Sequence, residues 1–409
     1  YKKKLMKIVV LKFGGTSVAS IDRIKKVAKI IVSYFKRRYK VIVISSAMSG
    51  ETNKLVKLTK KISNNFIPSE YDAILSSGEQ VSCSLISGML TEKGYLSRSW
   101  LAWQLPIITI GKYSYSRIIK INKRKIINFL KKGGIPIIAG FQGINSENRI
   151  TTIGRGGSDA SAIMIAKFFK AEKCVIYTDV DGVYTTDPRM VSKAKKIKTI
   201  SYEEMLEMAS LGSKVMQPHS IQDARLNRID IEVRSSFKNI SGSLITKRKN
   251  ISTKNIIRGV SFTKNDTKIT LVGVKDKPGV AASIFEPLFK NSINVDMVVQ
   301  NISSNSKETD LTFTIKSEDL IKTKKLIKNN KKIKFKKLIV DDKVSKVSII
   351  GVGMITTPGV TYRMFNALAK KNINILVIST SEIKISVLVD RENLKKAVDQ
   401  LHKEFKLDY

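Results

Sequence analysis

Cysteine and histidine are nearly missing from this chain of 409 residues, with two of each. Cys83 and Cys174 stand far apart without metal-ligand spacing, which argues against a disulfide framework or a zinc site and leaves both as small core residues. With His219 and His402 as the whole histidine complement, no Ser/His/Asp or Cys/His nucleophilic system is apparent. Long apolar runs are also absent. "IPIIAGF" and "VSIIGVGMI" are far too short to span a bilayer, and no charged, apolar, small-residue leader opens the sequence, so a cytoplasmic chain with no membrane partner is expected. Acidic residues are scarce too: 34 Asp plus Glu face 74 Lys plus Arg, for a net charge of +40.

Such a field makes a nucleic-acid or membrane binder the first rival to an enzyme. Two basic stretches carry that rival, "KINKRKIINFLKK" (120–132) and "KTKKLIKNNKKIKFKK" (322–337). Both place Ile, Leu or Phe at spacings suited to an amphipathic helix, so their lysines read as its wet face. The bias is spread along the whole chain and comes with abundant Ile and Asn. No functional nucleic-acid partner is therefore expected.

What is present is an alternation. From residue 5 to about 245 short apolar strands ("LKFGG", "YKVIVISSAM", "IPIIAGF") alternate with helical periodicities near 21–38, 51–62 and 71–93. This predicts an α/β sandwich with a mostly parallel sheet and functional loops at the strand ends. After "SLITKRKN" (243–250) the chain repeats itself: "KITLVGVKDKPGVAASIFEPLFKNSINVDMVVQN" (268–301) lines up with "KVSIIGVGMITTPGVTYRMFNALAKKNINILVIST" (346–380). Each reads strand, Pro-Gly-Val turn, helix, strand, followed by another strand and a second helix near 318–329 or 392–404. The prediction is a small α/β sandwich, two helices on an antiparallel sheet, built twice. The domains expected are 1–248, 262–342 and 343–409.

Four stretches carry chemistry. In "IVVLKFGGTSV" (8–18) a strand delivers Lys12 and then Gly14, Gly15, Thr16 and Ser17, a place for an oligophosphate on backbone N–H groups with an ammonium beside it. The Lys precedes the glycines, so this is not the GxxxxGK[ST] pattern. In "TTIGRGGSDASA" (151–162) Arg155 can grip a carboxylate, Ser158 reads as the N-cap of a small-residue helix, and Asp159 can orient the lysine or a metal. "CVIYTDVDGVYTTDPR" (174–189) sets Asp179, Asp181 and Asp187 with Thr178, Tyr184 and Arg189 after a strand. It lacks the EF-hand spacing and suits a nucleotide base, ribose or magnesium edge. "SSGEQVS" (76–82) reads as a helix start with Glu79 in its first turn, either a dipole complement or a holder of a substrate ammonium. Phosphoryl transfer to a carboxylate needs no histidine, because positioning and charge neutralisation supply most of the catalysis.

Together with "SSAMSGETNKL", "AGFQG" and "ISYEEMLEMASLGSKVMQPHS", these motifs make the chain resemble the aspartate kinases of the amino-acid kinase superfamily. The resemblance covers nearly the whole chain, because the repeated tail is similar to the paired ACT regulatory domains. It implies a three-layer α/β/α kinase domain followed by two ACT-like sandwiches, and an ATP- and Mg²⁺-dependent conversion of L-aspartate to 4-phospho-L-aspartate, the first step toward lysine, threonine and methionine. By the same resemblance Lys12 neutralises the transferring phosphoryl group, Asp159 organises Lys12, and Phe13, Gly14 and Gly15 adjoin the nucleotide. Glu79 takes the aspartate ammonium and Arg155 a carboxylate, with Thr16, Ser46, Thr52, Gly156, Gly157 and Ser158 around them. Thr178, Asp179, Tyr184, Asp187, Arg189 and Lys214 hold the nucleotide, although "QPHS" follows the lysine motif where relatives often carry a "HPRA"-like run. No resident protein metal site is implied.

The chain stops after the second repeat, so a monofunctional enzyme without the fused homoserine dehydrogenase is expected, a homodimer or tetramer through its ACT domains. An amino-acid effector, threonine and/or lysine, is expected at Asp276, Gly279, Val280, Asn294, Asp296, Gln300 and Asn301 of the first repeat. Thr361, Asn374, Ser381 and Glu382 are the corresponding residues of the second. The nearest enzymatic rivals are the acetylglutamate, glutamate and uridylate kinases, usually shorter and without the repeated tail.

Overall fold

The computed structural model describes residues 6–211, 215–247, 256–302, 308–330 and 333–408. They fall into two compact units, each with its own core. The first comprises 6–183, 196–210 and 215–247, and the second 184–195, 211 and the described residues from 256 onward.

Chain order in the first unit is β1 (Ile8–Phe13), α1 (Ile21–Lys36), β2 (Lys40–Ser45), α2 (Glu51–Ile62), α3 (Pro68–Glu92), β3 (Ser97–Trp100), β4 (Ile107–Ile110), β5 (Arg117–Ile121), α4 (Arg124–Lys131), β6 (Ile135–Ala139), β7 (Gln142–Ile144) and β8 (Ile150–Thr152). Then come α5 (Gly157–Phe169), β9 (Lys173–Thr178), β10 (Thr199–Ser201), α6 (Tyr202–Ser210), α7 (Pro218–Asn227), β11 (Ile231–Ser235) and β12 (Ser243–Thr246). Among the described residues the main sheet has eight strands in the order β10-β12-β11-β9-β1-β2-β6-β3. It is parallel except where β12 runs against β11. A second sheet, β5-β4-β7-β8, stands beside it. β1 lies between β9 and β2 and is buried on both faces, which is why it reads as an unbroken apolar run with Lys12 as its one polar interruption.

Helix α1 follows its periodicity: Ser20 caps it by accepting the Arg23 N–H, and Ile24, Val27, Ala28 and Ile31 are buried along one stripe. The two basic stretches behave alike. α4 buries Ile126 and Leu130, and the helix Leu320–Asn329 buries Thr323 and Ile327, so lysines in both occupy the outward face. Two expectations change. α3 runs unbroken from Pro68, so Glu79 lies in a helix interior and not in a first turn. α5 begins after Gly156 in the left-handed region (φ 71°), so glycine and not Ser158 occupies the cap. Both cysteines are free and buried. Among the described residues no helix is long and apolar enough to cross a membrane.

The second unit runs β13 (Gly259–Lys275), α8 (Val280–Lys290), β14 (Val298–Ile302), β15 (Glu308–Lys316), α9 (Leu320–Asn329), β16 (Lys337–Ile350), α10 (Val360–Ala369), β17 (Val377–Ser381), β18 (Lys384–Asp390) and α11 (Leu394–Glu404). Its strands form one antiparallel sheet, β14-β15-β13-β16-β18-β17, where the sequence suggested two separate ones. The two long strands are shared. Ile269–Val272 of β13 pairs with Lys337–Val340 of β16 beside β15, while Gly259–Thr263 pairs with Lys346–Ile350 beside β18. The register slips near Asp266 separate the halves. There Asp266 accepts from Thr263 Oγ1 and pairs with Lys316 at 2.7 Å. Each half has its own core, one around Ile269, Leu271, Ile284 and Phe313, the other around Val347, Ile349, Met364 and Leu401. Residues 184–195 join the latter: Val191 packs in it, and Thr185 Oγ1 lies 2.9 Å from His402 Nε2. Burial holds the His402 imidazolium pKa below its usual value.

Candidate active site

Lys12 leaves the carboxyl end of β1 with its Nζ 2.6 Å from Asp159 Oδ1, and each side chain is only 10% exposed. Taking two opposite charges this far out of water carries a desolvation penalty that their close contact must offset. Asp159 lies in the first turn of α5, where the helix dipole favours its negative charge.

The glycines explain how backbone approaches this pair. A Cβ on Gly15 would stand 2.9 Å from the Ala47 carbonyl oxygen, and Ser49 N–H donates to Gly15 O at 3.2 Å. The loops after β1 and β2 are thus zipped together. Gly14 N–H is already used, donating to Tyr177 O at 3.1 Å, so of the two expected phosphate donors Gly15 is the one left. Phe13 is fully buried and stacks on Tyr177 with ring centroids 4.9 Å apart, which removes its side chain from any nucleotide contact. Thr16 is exposed and does not line the cleft described next.

A cleft of about 1410 Å³ opens over these loops, lined by Lys12, Ser46, Thr52, Glu79, Arg155 and Ser158 among others. Gly156, Gly157 and Asp159 belong to the same lining. Glu79 is 3% exposed and accepts the Ala47 N–H on Oε1 at 3.1 Å, while Oε2 has no hydrogen-bond partner among the described residues. Desolvation raises its pKa from 4.5 to about 8, against the pull of the Ala47 N–H and the Lys12 charge. A buried carboxyl with one oxygen unsatisfied leaves an acceptor open to a donor from outside. Arg155 stands exposed between Gly154 (φ 84°) and Gly156, and among the described residues it makes no ion pair. One cleft therefore holds a free guanidinium, an unsatisfied carboxyl and a caged ammonium.

Several groups here escaped the sequence reading. Asp72, fully buried on α3, accepts four hydrogen bonds from Ser114 and Thr152. Tyr71, Tyr115, His219 and Asp223 also line the cleft. Burial raises the Asp223 pKa, opposed by His219, Arg117 and Lys167. Tyr71, Asp72 and Asp223 gave no glycine or charge-cluster signal, since each sits within an ordinary helical pattern.

The expected nucleotide residues divide. Thr178 ends β9 next to the strand carrying Lys12, and its hydroxyl donates to Asp179 Oδ1 at 3.0 Å. Neither lines the cleft above. Tyr184, Asp187 and Arg189 belong to the second unit, where Arg189 spends Nε and Nη2 on Asp187 and lowers the pKa of that carboxyl. Lys214 lies outside the described residues. Among those described, no cluster of three or more His, Cys, Asp or Glu could hold a metal ion.

In the second unit Gly279 (φ 88°) and Gly359 (φ 85°) cap α8 and α10 in equivalent positions, with Val280 and Val360 opening the helices. Asp276 Oδ1 accepts from Gln300 Nε2 at 3.4 Å, which brings two expected effector residues together. Asn294 and Asn301 are exposed nearby in sequence. Asp296 is different: its carboxylate pairs with the buried Lys346 ammonium of β16, so it is already engaged. Thr361, Asn374, Ser381 and Glu382 are all exposed, and Ser381 Oγ donates to Lys384 O at 3.5 Å.

Comparison with known proteins agrees with this layout. The amino acid kinase family profile matches residues 7–235, and the ACT domain profile matches 269–330 and 347–405. The chain is similar to an aspartate kinase of Pseudomonas putida, 45% identical over 405 residues and 98% of both proteins. It is likewise similar to an aspartokinase of Pseudomonas aeruginosa, 43% identical over 406 residues with 98% of each covered. Among solved structures it resembles E. coli aspartokinase III in complex with aspartate and ADP, with a TM-score of 0.79 at 26% identity over 97% of this chain and 99% of that one. The same enzyme in complex with lysine and aspartate gives a TM-score of 0.80 at 26% identity over 98% and 99%. With catalytic and regulatory profiles matched in order and nearly the full length shared, the chain belongs to the amino acid kinase family and, within it, to the aspartate kinases that carry ACT domains.

Proposed function

We propose that this chain transfers the γ-phosphoryl group of ATP to the side-chain carboxylate of L-aspartate, giving 4-phospho-L-aspartate and ADP, as the cytoplasmic first step toward lysine, threonine and methionine. The observation that carries the reading is the convergence, in one cleft, of the Lys12–Asp159 pair, the unsatisfied Glu79 Oε2 and the unpaired Arg155. Glu79 receives the substrate ammonium and Arg155 its α-carboxylate in a bidentate grip, which points the side chain toward Lys12. That carboxylate is ionised at neutral pH and needs no general base. Lys12, fixed by Asp159, neutralises charge on the transferring group, and the Gly15 N–H approaches where a side chain would not fit. Gly14, after β1, and Thr178 and Asp179, at the end of the neighbouring β9, are the residues of the first unit proposed to adjoin the nucleotide.

Mg²⁺ fits as a companion of the phosphates. Mg²⁺ is commonly held by one or two carboxylates plus phosphate oxygens, so the absence of a carboxylate cluster among the described residues is no obstacle, and Asp159 or Asp179 would serve. Bound there it would withdraw charge from the phosphate oxygens.

Regulation by lysine and/or threonine at the first repeat is part of the proposal, as is association of two or four chains through the ACT domains. The lysine complex of the E. coli enzyme supports the former. The chemical step is tested by Lys12→Ala, which is expected to lower kcat by roughly 10³-fold while leaving aspartate binding little changed. A kcat near wild type would reduce Lys12 to a structural residue.

A further inference from the structure

Asp72 is a fully buried carboxylate that the catalytic reading does not use. Its four hydrogen bonds come from two residues: Oδ2 accepts the Ser114 and Thr152 backbone N–H groups at 2.8 and 2.7 Å, and Oδ1 accepts their hydroxyls at 2.7 and 2.9 Å. These four saturate a carboxylate's accepting capacity. The residue staples three pieces of chain, namely α3, the loop before β5, and the end of β8.

Each piece leads to a substrate-holding group. Glu79 is seven residues further along α3, two turns on and on the same face, roughly 10 Å away along the axis. Thr152 ends β8 three residues before Arg155. Ser114 reaches the same place: a Cβ on Gly154 would stand 2.8 Å from its carbonyl oxygen, so Ser114 and Gly154 pack backbone to backbone next to Arg155. Glu79 itself is fixed at its other end by Ala47 N–H.

From this connectivity we infer that Asp72 is a positioning and specificity-determining residue, the staple that sets the separation between Glu79 and Arg155 and thereby the length of amino acid whose side-chain carboxylate arrives at Lys12. The inference rests on the proposed roles of Glu79 and Arg155. With the staple intact, aspartate fits and glutamate, one methylene longer, overshoots. With it released, the loop bearing Arg155 loses its fixed distance from α3, and the discrimination weakens.

The staple acts through geometry and not charge, which gives a rescue. In Asp72→Asn the amide oxygen can take both backbone N–H groups while the NH₂ donates to both hydroxyls, which rotate to accept. Asp72→Ala removes all four bonds. The experiment is steady-state kinetics with aspartate and glutamate, with thermal unfolding as the folding control. Asp72→Ala is expected to raise KM for aspartate about tenfold and to lower the aspartate-to-glutamate ratio of kcat/KM about tenfold, with KM for ATP within about twofold of wild type. Asp72→Asn is expected to stay within about threefold of wild type on all of these. Should Asp72→Ala fail to fold, Thr152→Val, which deletes one hydroxyl donor, decides by shifting aspartate KM and selectivity the same way to a smaller extent.

A folded Asp72→Ala with unchanged selectivity, a parallel loss of kcat and both KM values, or an Asn variant as impaired as Ala would overturn the inference. So would an unchanged Thr152→Val where Ala does not fold. Glu79→Gln and Arg155→Ala run alongside. If neither raises aspartate KM, the assignment of the substrate site has failed; if they do and Asp72→Ala does not, the staple has.

Discussion

Glu79, in its proposed role, would serve binding at the expense of the fold. Its pKa of about 8 against an ordinary 4.5 means that between those values the native state holds a proton that the unfolded chain has released. Stability from this group is therefore fully present at acid pH and declines as pH rises through that window. Binding runs the other way, because an ammonium needs the carboxylate. Replacing Glu79 with Gln is expected to raise Tm by several degrees near pH 7.5 and to raise KM for aspartate by an order of magnitude or more. KM of the wild type should fall as pH climbs from 6 toward 8, and in the variant that slope should vanish. Thermal unfolding and KM–pH profiles measure both; an equal slope in the two proteins would show that another group titrates.

Elements were legible where periodicity was strong and hidden where two patterns met. α1 lies where the apolar spacing placed it, because it buries a single stripe of Ile24, Val27, Ala28 and Ile31, and α2 spans its expected bounds although Thr59 is its only buried residue. The continuity of β16 was not visible: the expected boundary between the repeats, after Asp342, falls inside it, among Asp341, Asp342 and Lys343. They lie where pairing partners change from β15's side to β18's, and polar residues are tolerated at such a crossing. Loops with glycines beside a cation announced Lys12 and Arg155, but nothing local announced Asp72, whose partners lie 42 and 80 residues away. The engagement of Asp296 was hidden for the same reason: its partner Lys346 is 50 residues distant, on the other half of the sheet. The effector site is therefore better probed at Asp276, beside Gln300 and the Gly279 helix cap. Titration calorimetry with lysine and with threonine should give saturable heat and matching loss of activity, both weakened about tenfold or more by Asp276→Ala. No heat and no inhibition by either amino acid would leave the repeats as assembly elements only.

At the scale of the whole molecule, the order of parts was readable because the repeat is internal and the seven motifs are collinear with the fold. The assignment of residues 184–195 to the second unit was not, since nothing in "VYTTDPRMVSK" signals packing with strands that begin at Gly259. The charge of +40 is spread over outward helix faces such as those of α4 and α9, while Lys12, Asp159, Glu79 and Arg155 gather in one cleft of the first unit. The claim that joins these levels is that the cleft reads an amino acid by its ammonium at Glu79 and its carboxylate at Arg155 and phosphorylates the side chain at Lys12. A coupled assay of ADP release, run with aspartate, glutamate and acetylglutamate side by side, tests it most directly. ADP release dependent on aspartate, at least about 10² times more efficient than with the other two, is the expected result. Turnover preferring acetylglutamate, which has no ammonium for Glu79 to hold, or no aspartate-dependent release at all, would contradict the account.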